Sequence, residues 1–292
     1  MVLVWVILPL VRAYQLVEIN ARHVATRPRD VRVIDIRFLA TDNTKLAGWW
    51  LPGATSAPTI VLVAGFKANR ASMLPYARFL HDARYNVLLY DSRGVGESGG
   101  FFSLGSREVR DVEGAIAYVQ RRPALHNHRC GLLGVSLGAG IVISVAASMH
   151  SVLATVADSA YVNQHRTVER LDILYLDRLQ LSLAPFAPWA VDRLLGERLS
   201  DFSPVRAVSH IAPRALLLIH SRNDANPTTP LSGAVTLYRM AGQPTYLWIA
   251  PHGGHAGAFA AQPAQYSQRV IAFFRRYLLT PPKVGGARLA RR

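Results

Sequence analysis

The apolar residues of this chain fall into short continuous runs separated by segments of helical period. Thr59–Ala64, Asn86–Tyr90, Arg129–Val135, Val152–Ala157, Arg214–His220 and Thr245–Ala250 are such runs, each predicting a strand covered on both faces. Ahead of them, Val31–Leu39 alternates apolar and polar positions, and Lys45–Leu51 follows across a Thr-Asp-Asn-Thr turn, predicting an antiparallel hairpin. Helical patterns fill the intervals at Ala71–Ala83, Arg107–Arg121, Leu137–His150, Pro230–Ala241 and Pro263–Leu279. The sum is an α/β fold with an eight-stranded, mostly parallel sheet and helices on both faces. No internal repeat or low-complexity segment interrupts it.

Residues 161–209 break the alternation, being too long for one crossover and too patterned for a loop. Leu171, Leu174, Leu176, Leu179, Leu181 and Leu183 lead into Pro185-Phe186-Ala187-Pro188-Trp189. A small helical cap is expected here, with Phe186 and Trp189 in an apolar substrate pocket. The other reading is extra helical packing with no role in substrate choice.

Candidate chemistry sits at the strand ends. Gly134-Val135-Ser136-Leu137-Gly138 joins a predicted strand to a predicted helix, with Ser136 at the apex of the turn. Such a turn strains the serine backbone, and side chains at the flanking glycines would collide with strand or helix. The hydroxyl is then lifted from the sheet to a helix N-terminus, where developing negative charge is favoured. Ser136 is therefore a candidate nucleophile. Downstream, Ser221-Arg222-Asn223-Asp224 leaves one strand and Pro251-His252-Gly253-Gly254-His255 leaves the next. Both stand at carboxyl ends of strands, where open α/β sheets bind their ligands. The chain order of serine, acid, histidine is the one such a nucleophile turn requires.

These motifs resemble the alpha/beta hydrolase superfamily, in the subset of serine-aminopeptidase-like and small esterase-like enzymes. Asp91-Ser92-Arg93-Gly94-Val95-Gly96-Glu97-Ser98 resembles the family's glycine-rich turn after the fourth strand. Ala64-Gly65-Phe66-Lys67-Ala68-Asn69-Arg70 resembles its loop after the third strand, with Ala64 where a histidine usually begins it. The resemblance spans residues 31–279 and carries no substrate specificity. It implies a core of residues 31–160 and 210–279 with a cap at 161–209. It also implies a triad of Ser136, Asp224 and His255, and an oxyanion hole from the backbone amides of Phe66 and Leu137. Asp158 ends the sixth strand and competes with Asp224, which has the commoner location. His252 competes with His255, which follows the double glycine as the family's histidine usually does. Two histidines without a third ligand nearby are weak grounds for a metal, and neither metal nor cofactor is expected.

Composition changes the picture at the ends of the chain. Length and a hydrophobic half suit one large core. The single cysteine, Cys130, rules out an internal disulfide and reads as a buried, inert thiol. The formal net charge is +15, carried mostly by arginine, but no nucleic-acid module accompanies it, so nucleic acid is not an expected partner. Residues 1–30 form an apolar segment with a basic flank at Arg12, Arg22, Arg27, Arg29 and Arg32. Met1–Val11 lacks a signal peptide's basic start and is too short to span, so a cytoplasmic-side location is expected. Two readings are open: an interfacial anchor on an anionic membrane surface, or a helix packed on the domain. Residues 280–292 read as a basic flexible tail. The expected activity is hydrolysis of an acyl ester on a small-molecule substrate. Peptidase or thioesterase chemistry, or a non-catalytic membrane-associated binding protein, is the alternative.

Overall fold

A computed structural model describes residues 7–17, 23–171, 173–176, 179–182 and 186–279. Helix α1 (Leu8–Val17) precedes the hairpin β1 (Ile34–Leu39) and β2 (Lys45–Leu51). The core continues through β3 (Thr59–Val63), α2 (Leu74–Asp82), β4 (Asn86–Tyr90), α3 (Glu108–Gln120), β5 (Cys130–Val135), α4 (Leu137–Ser148) and β6 (Val152–Asp158). Next come α5 (Gln164–Leu171), β7 (Ile173–Leu176), β8 (Leu179–Ser182), α6 (Ala187–Leu195) and the single turn α7 (Pro204–Ala207). The sheet is then completed by β9 (Ala215–Ser221), α8 (Leu231–Met240), β10 (Thr245–Ala250), α9 (Ala258–Ala261) and α10 (Pro263–Phe274).

The main sheet has eight strands in the order β1-β2-β4-β3-β5-β6-β9-β10. The pairs β1–β2 and β2–β4 are antiparallel and the others parallel. The continuous apolar runs have the reason expected of them. On β3, Val61 and Val63 pack with the α3 and α4 side chains, while Ile60 and Leu62 pack with those of α2 and α10. Each strand residue thus meets a helix whichever way it points.

The interval between β6 and β9 departs from an all-helical cap. Between α5 and α6 the backbone forms an antiparallel hairpin, with Ile173 opposite Ser182 and Leu176 opposite Leu179. The leucines at 174 and 176, and at 179 and 181, recur two apart, which is the period of a strand. The side chains of 171–185, the N-terminal residues 1–6 and 18–22, and the tail 280–292 lie outside the described residues. Of the two readings of the N-terminus, the described part of α1 fits packing on the domain. Ala13 is fully buried, in one cluster with Val191 and Leu195 of α6. No described helix is long and apolar enough to cross a membrane.

One buried carboxylate ties the turn after β4 to the loop after β3. Asp91 accepts the Arg70 amide at 2.7 Å and the Glu97 amide at 3.0 Å. It also lies 3.3 Å from the Arg70 guanidinium, both side chains being buried. Replacing Asp91 with Ala leaves two amides without their acceptor and a buried cation with Glu97 as its remaining carboxylate. The expected cost is ~3–5 kcal/mol by chemical denaturation. Glu97→Ala, at a half-buried partner of the same arginine, should cost far less. A loss under ~1 kcal/mol for Asp91→Ala would remove this tie from the account.

Candidate active site

Strand β5 enters a turn that only glycine can line. A Cβ on Gly138 would stand 2.6 Å from the Ala64 carbonyl oxygen and closer still to that of Val63. A Cβ on Gly134 would strike the backbone of Gly138 and Ala139. Between them Ser136 takes φ +56° and ψ −116°, a conformation costing ~1–3 kcal/mol for a residue with a side chain. Its amide donates to the Asp158 carbonyl at 2.8 Å, which fixes the turn against β6. Ser136 caps α4, so the next amide, on Leu137, belongs to the first turn and has no acceptor within the helix. Gly65 lies alongside, since a Cβ there would come 3.3 Å from Ser136 Cβ. The loop bearing Phe66 is thereby placed beside the serine hydroxyl.

The structure brings Ser136, His255 and Asp224 into one line. Ser136 Oγ lies 2.8 Å from His255 Nε2, and His255 Nδ1 lies 3.0 Å from Asp224 Oδ2. Nδ1–H donating to the carboxylate leaves Nε2 free to accept from the serine. Asp224 is fully buried, and His255 is 28% exposed at the cavity mouth. Asp224 Oδ1 accepts the Asn226 amide at 2.9 Å, and Oδ2 accepts from the Thr229 hydroxyl at 3.3 Å. That hydroxyl also stands 2.9 Å from His255 Nδ1. The two loops are joined again where the Gly254 amide donates to Asn223 Oδ1 at 3.0 Å.

Two residues that sequence reasoning passed over complete the surroundings. His220, at the end of β9, is fully buried with Nε2 3.3 Å from Asp224 Oδ2. Burial lowers its pKa and outweighs the neighbouring carboxylate. Thr229 is the other, and its only signal was a place in the same turn-rich loop as Asp224. Asp158 makes none of the contacts that Asp224 makes to His255. It accepts from Ser159 Oγ at 3.0 Å, and that oxygen takes the Ala256 amide at 3.1 Å. His252 is exposed, and its backbone carbonyl accepts from Gln262. Cys130 is buried, and burial pushes its thiol up to about 12. Among the described residues, no group of three or more metal-ligating side chains stands together.

A cavity of about 530 Å³ opens over Ser136. Phe66, Leu137, Ser136 and His255 all line it. Phe186 and Trp189 do not. They are 38% and 46% exposed, because α6 spends its buried face (Ala187, Ala190, Val191, Leu195) on the domain. Trp189 instead borders a separate cleft with Arg110, Arg193 and Glu197. The apolar wall over the serine comes from Leu16 of α1, Met73, Tyr76 and Leu104.

The family described as X-Pro dipeptidyl-peptidase (S15 family) matches residues 42–170, a span that contains Ser136 but neither Asp224 nor His255. The uncharacterized protein YfhR of Salmonella typhimurium is 30% identical, over 84% of this chain and 82% of its own. The uncharacterized protein YqkD of Bacillus subtilis is 30% identical, over 74% of this chain and 70% of its own. Among solved structures, the Pyrococcus furiosus esterase Pf2001 superposes with a TM-score of 0.73 at 23% identity, covering 88% of this chain and 98% of that one. GrgF, an alpha/beta hydrolase from Penicillium sp. sh18, gives 0.68 at 19% identity over 86% of this chain and 100% of its own. At these identities both structural likenesses are likenesses of fold.

Burial raises the Asp158 carboxyl from its ordinary 3.8 to about 6. A carboxyl raised on folding adds stability below pH 4 that is lost as pH climbs through 6. Asp158→Asn removes that loss. Relative to the parent chain, the variant should gain up to about 3 kcal/mol between pH 4 and pH 6, read as a diverging Tm. A difference independent of pH would show that Asp158 does not titrate in this window.

Proposed function

The chain belongs to the alpha/beta hydrolase superfamily, in the family of the YfhR proteins, and on that premise we propose that it is a serine hydrolase of carboxylic esters. The observation that carries this reading is the hydrogen-bonded line from Ser136 Oγ through His255 to buried Asp224, at the mouth of a cavity. His255 Nε2 takes the serine proton as Oγ attacks the acyl carbonyl carbon. Asp224 holds the imidazole in the required tautomer and stabilises the cation it becomes. The carbonyl oxygen, now negative, meets the Phe66 and Leu137 amides, donors of a kind typically worth ~3 kcal/mol each. His255 returns its proton to the departing alcohol, leaving an acyl group on Ser136. Water enters by the same route, and the acid is released.

The match to a dipeptidyl-peptidase family favours a second reading, cleavage of short peptides. An exopeptidase that holds a free α-amino group needs a carboxylate in its substrate cavity. Among the described residues lining this cavity there is no Asp or Glu. The lining favours acyl esters on the strength of that electrostatic argument.

A fluorophosphonate probe should label Ser136 in the intact chain and fail to label Ser136→Ala. A folded chain that remains unlabelled would sink the serine-hydrolase reading. Asp224→Asn and His255→Ala should each lower kcat for an activated ester by at least ~10³-fold, and Asp158→Asn and His252→Ala by far less. Greater damage from Asp158→Asn than from Asp224→Asn would reverse the choice of acid. Along a series of p-nitrophenyl esters, kcat/KM should rise from acetyl to an intermediate chain length, by up to ~0.8 kcal/mol of barrier per methylene. Faster turnover of aminoacyl anilides, with no dependence on acyl length, would move the chain to the peptidase side.

A further inference from the structure

Helix α1 is apolar on two sides, and the domain covers only one of them. The helix packs against α6. Its inner side carries Pro9 and Ala13, which are buried, and Leu16, which lines the cavity over Ser136. On the outer side, Ile7 (just ahead of the helix), Val11 and Tyr14 follow at intervals of four and three residues, which keeps them on one face. They are 48%, 45% and 51% exposed. A lone exposed apolar side chain is ordinary, whereas a stripe of them along one helix marks a surface that meets an apolar partner.

The charges around this stripe say what the partner is. From Met1 to Val17 the only charged side chain is Arg12, and Met1–Val6 is wholly apolar, with Trp5 among its residues. Residues 18–32 then bring Arg22, Arg27, Arg29 and Arg32 against Glu18 and Asp30. Asp30 is already paired with Arg78 at 2.8 Å, and Arg27 with Asp35 at 2.7 Å. Arg29 and Arg32 are exposed, and among the described residues no carboxylate pairs with either.

The loop after β3 holds the basic stretch beside the helix. Lys67 Nζ donates to the Gln15 carbonyl at 2.8 Å, which fastens the end of α1 to this loop. Two residues on, Asn69 Nδ2 donates to the His23 carbonyl at 2.9 Å, which fastens the start of the basic stretch to the same loop. A second copy of this chain would bring a like net charge of +15 to this face. An anionic lipid surface offers negative charge and hydrocarbon together.

We propose that the outer face of α1 seats the protein on an anionic lipid surface. The stripe enters the boundary between headgroups and acyl chains, and Lys67, Arg29 and Arg32 meet the headgroups. Because the domain holds its inner side, α1 meets the lipid lengthwise, in the plane of the interface. Leu16 follows Val11 by five residues and so points from the opposite side of the helix. The helix then stands between lipid and cavity as a shared wall, about one helix diameter (~10 Å) thick. This seat goes beyond the ester-hydrolase reading and stands without it.

Co-sedimentation of the full chain with vesicles tests the proposal. Partitioning should be at least ~10-fold stronger onto phosphatidylglycerol mixed equally with phosphatidylcholine than onto phosphatidylcholine alone, and should weaken as salt rises to about 0.5 M. Ile7→Gln with Val11→Gln removes apolar surface at two exposed positions without changing the charge. That variant should keep the parent Tm and the parent kcat/KM for p-nitrophenyl butyrate in solution, while its partitioning falls at least ~10-fold. Arg29→Gln with Arg32→Gln should weaken binding to the anionic vesicles by up to ~30-fold. Equal partitioning onto the two kinds of vesicle overturns the proposal, as does a glutamine pair at 7 and 11 that binds as the parent does. A parent dimer in sedimentation that the same pair dissociates would assign the stripe to a second copy instead. Ser136→Ala should bind vesicles as the parent does, so failure of the serine-hydrolase reading would leave the seat intact. Loss of the seat would likewise leave fluorophosphonate labelling intact.

Discussion

The close approach of Gly138 to the carbonyls of Val63 and Ala64 is the constraint on which the rest of the site depends. It draws the first turn of α4 down onto the end of β3, nearer than any side chain would allow. The chain leaving β5 can reach that position only through a left-handed residue, and Ser136 is the residue so held. The strain it bears is small against the packing of α4, whose side chains are buried on nearly every face. The same approach sets Gly65 against Ser136, so the loop after β3 meets the serine without a separate device. Asp91 then anchors the far end of that loop from the turn after β4.

Two carboxylates stand near His255, and their surroundings divide them. Asp224 receives a backbone amide, a threonine hydroxyl and the imidazole, with a second, buried imidazole at its back. Asp158 receives the Ser159 hydroxyl, and burial dominates its titration. An anion deep in a protein persists where several donors converge on it, and Asp224 has the greater convergence. Asp158 still has a place in the arrangement. Through Ser159 it reaches the Ala256 amide, immediately after the histidine, and so helps fix the loop that presents the imidazole.

The cavity owes its character to elements outside the β-sheet. Leu16 arrives from α1, Gln164 and Thr167 from α5, and Asn226 and Thr228 from the loop that carries Asp224. Ser136 and His255 thus border a cavity lined by both apolar and hydrogen-bonding side chains.

Strand positions, helix positions and the order of the three triad candidates could all be read along the chain. Continuous apolar runs, helical periodicity and glycine spacing are local properties of consecutive residues. The runs at β3, β5 and β9 appear within a residue or two of where they were expected. The cap was harder to read, since leucines alone do not distinguish a hairpin from a helix until their spacing is weighed. The partners of Asp224, the burial of His220 against it, and the exclusion of Phe186 and Trp189 from the cavity depended on folding. So did the mixed lining of the cavity, because Leu16, Met73, Gln164 and Asn226 are brought together from four separate elements. No periodicity along the chain records which faces of distant elements will meet, because that is set by how helices and loops pack over the finished sheet.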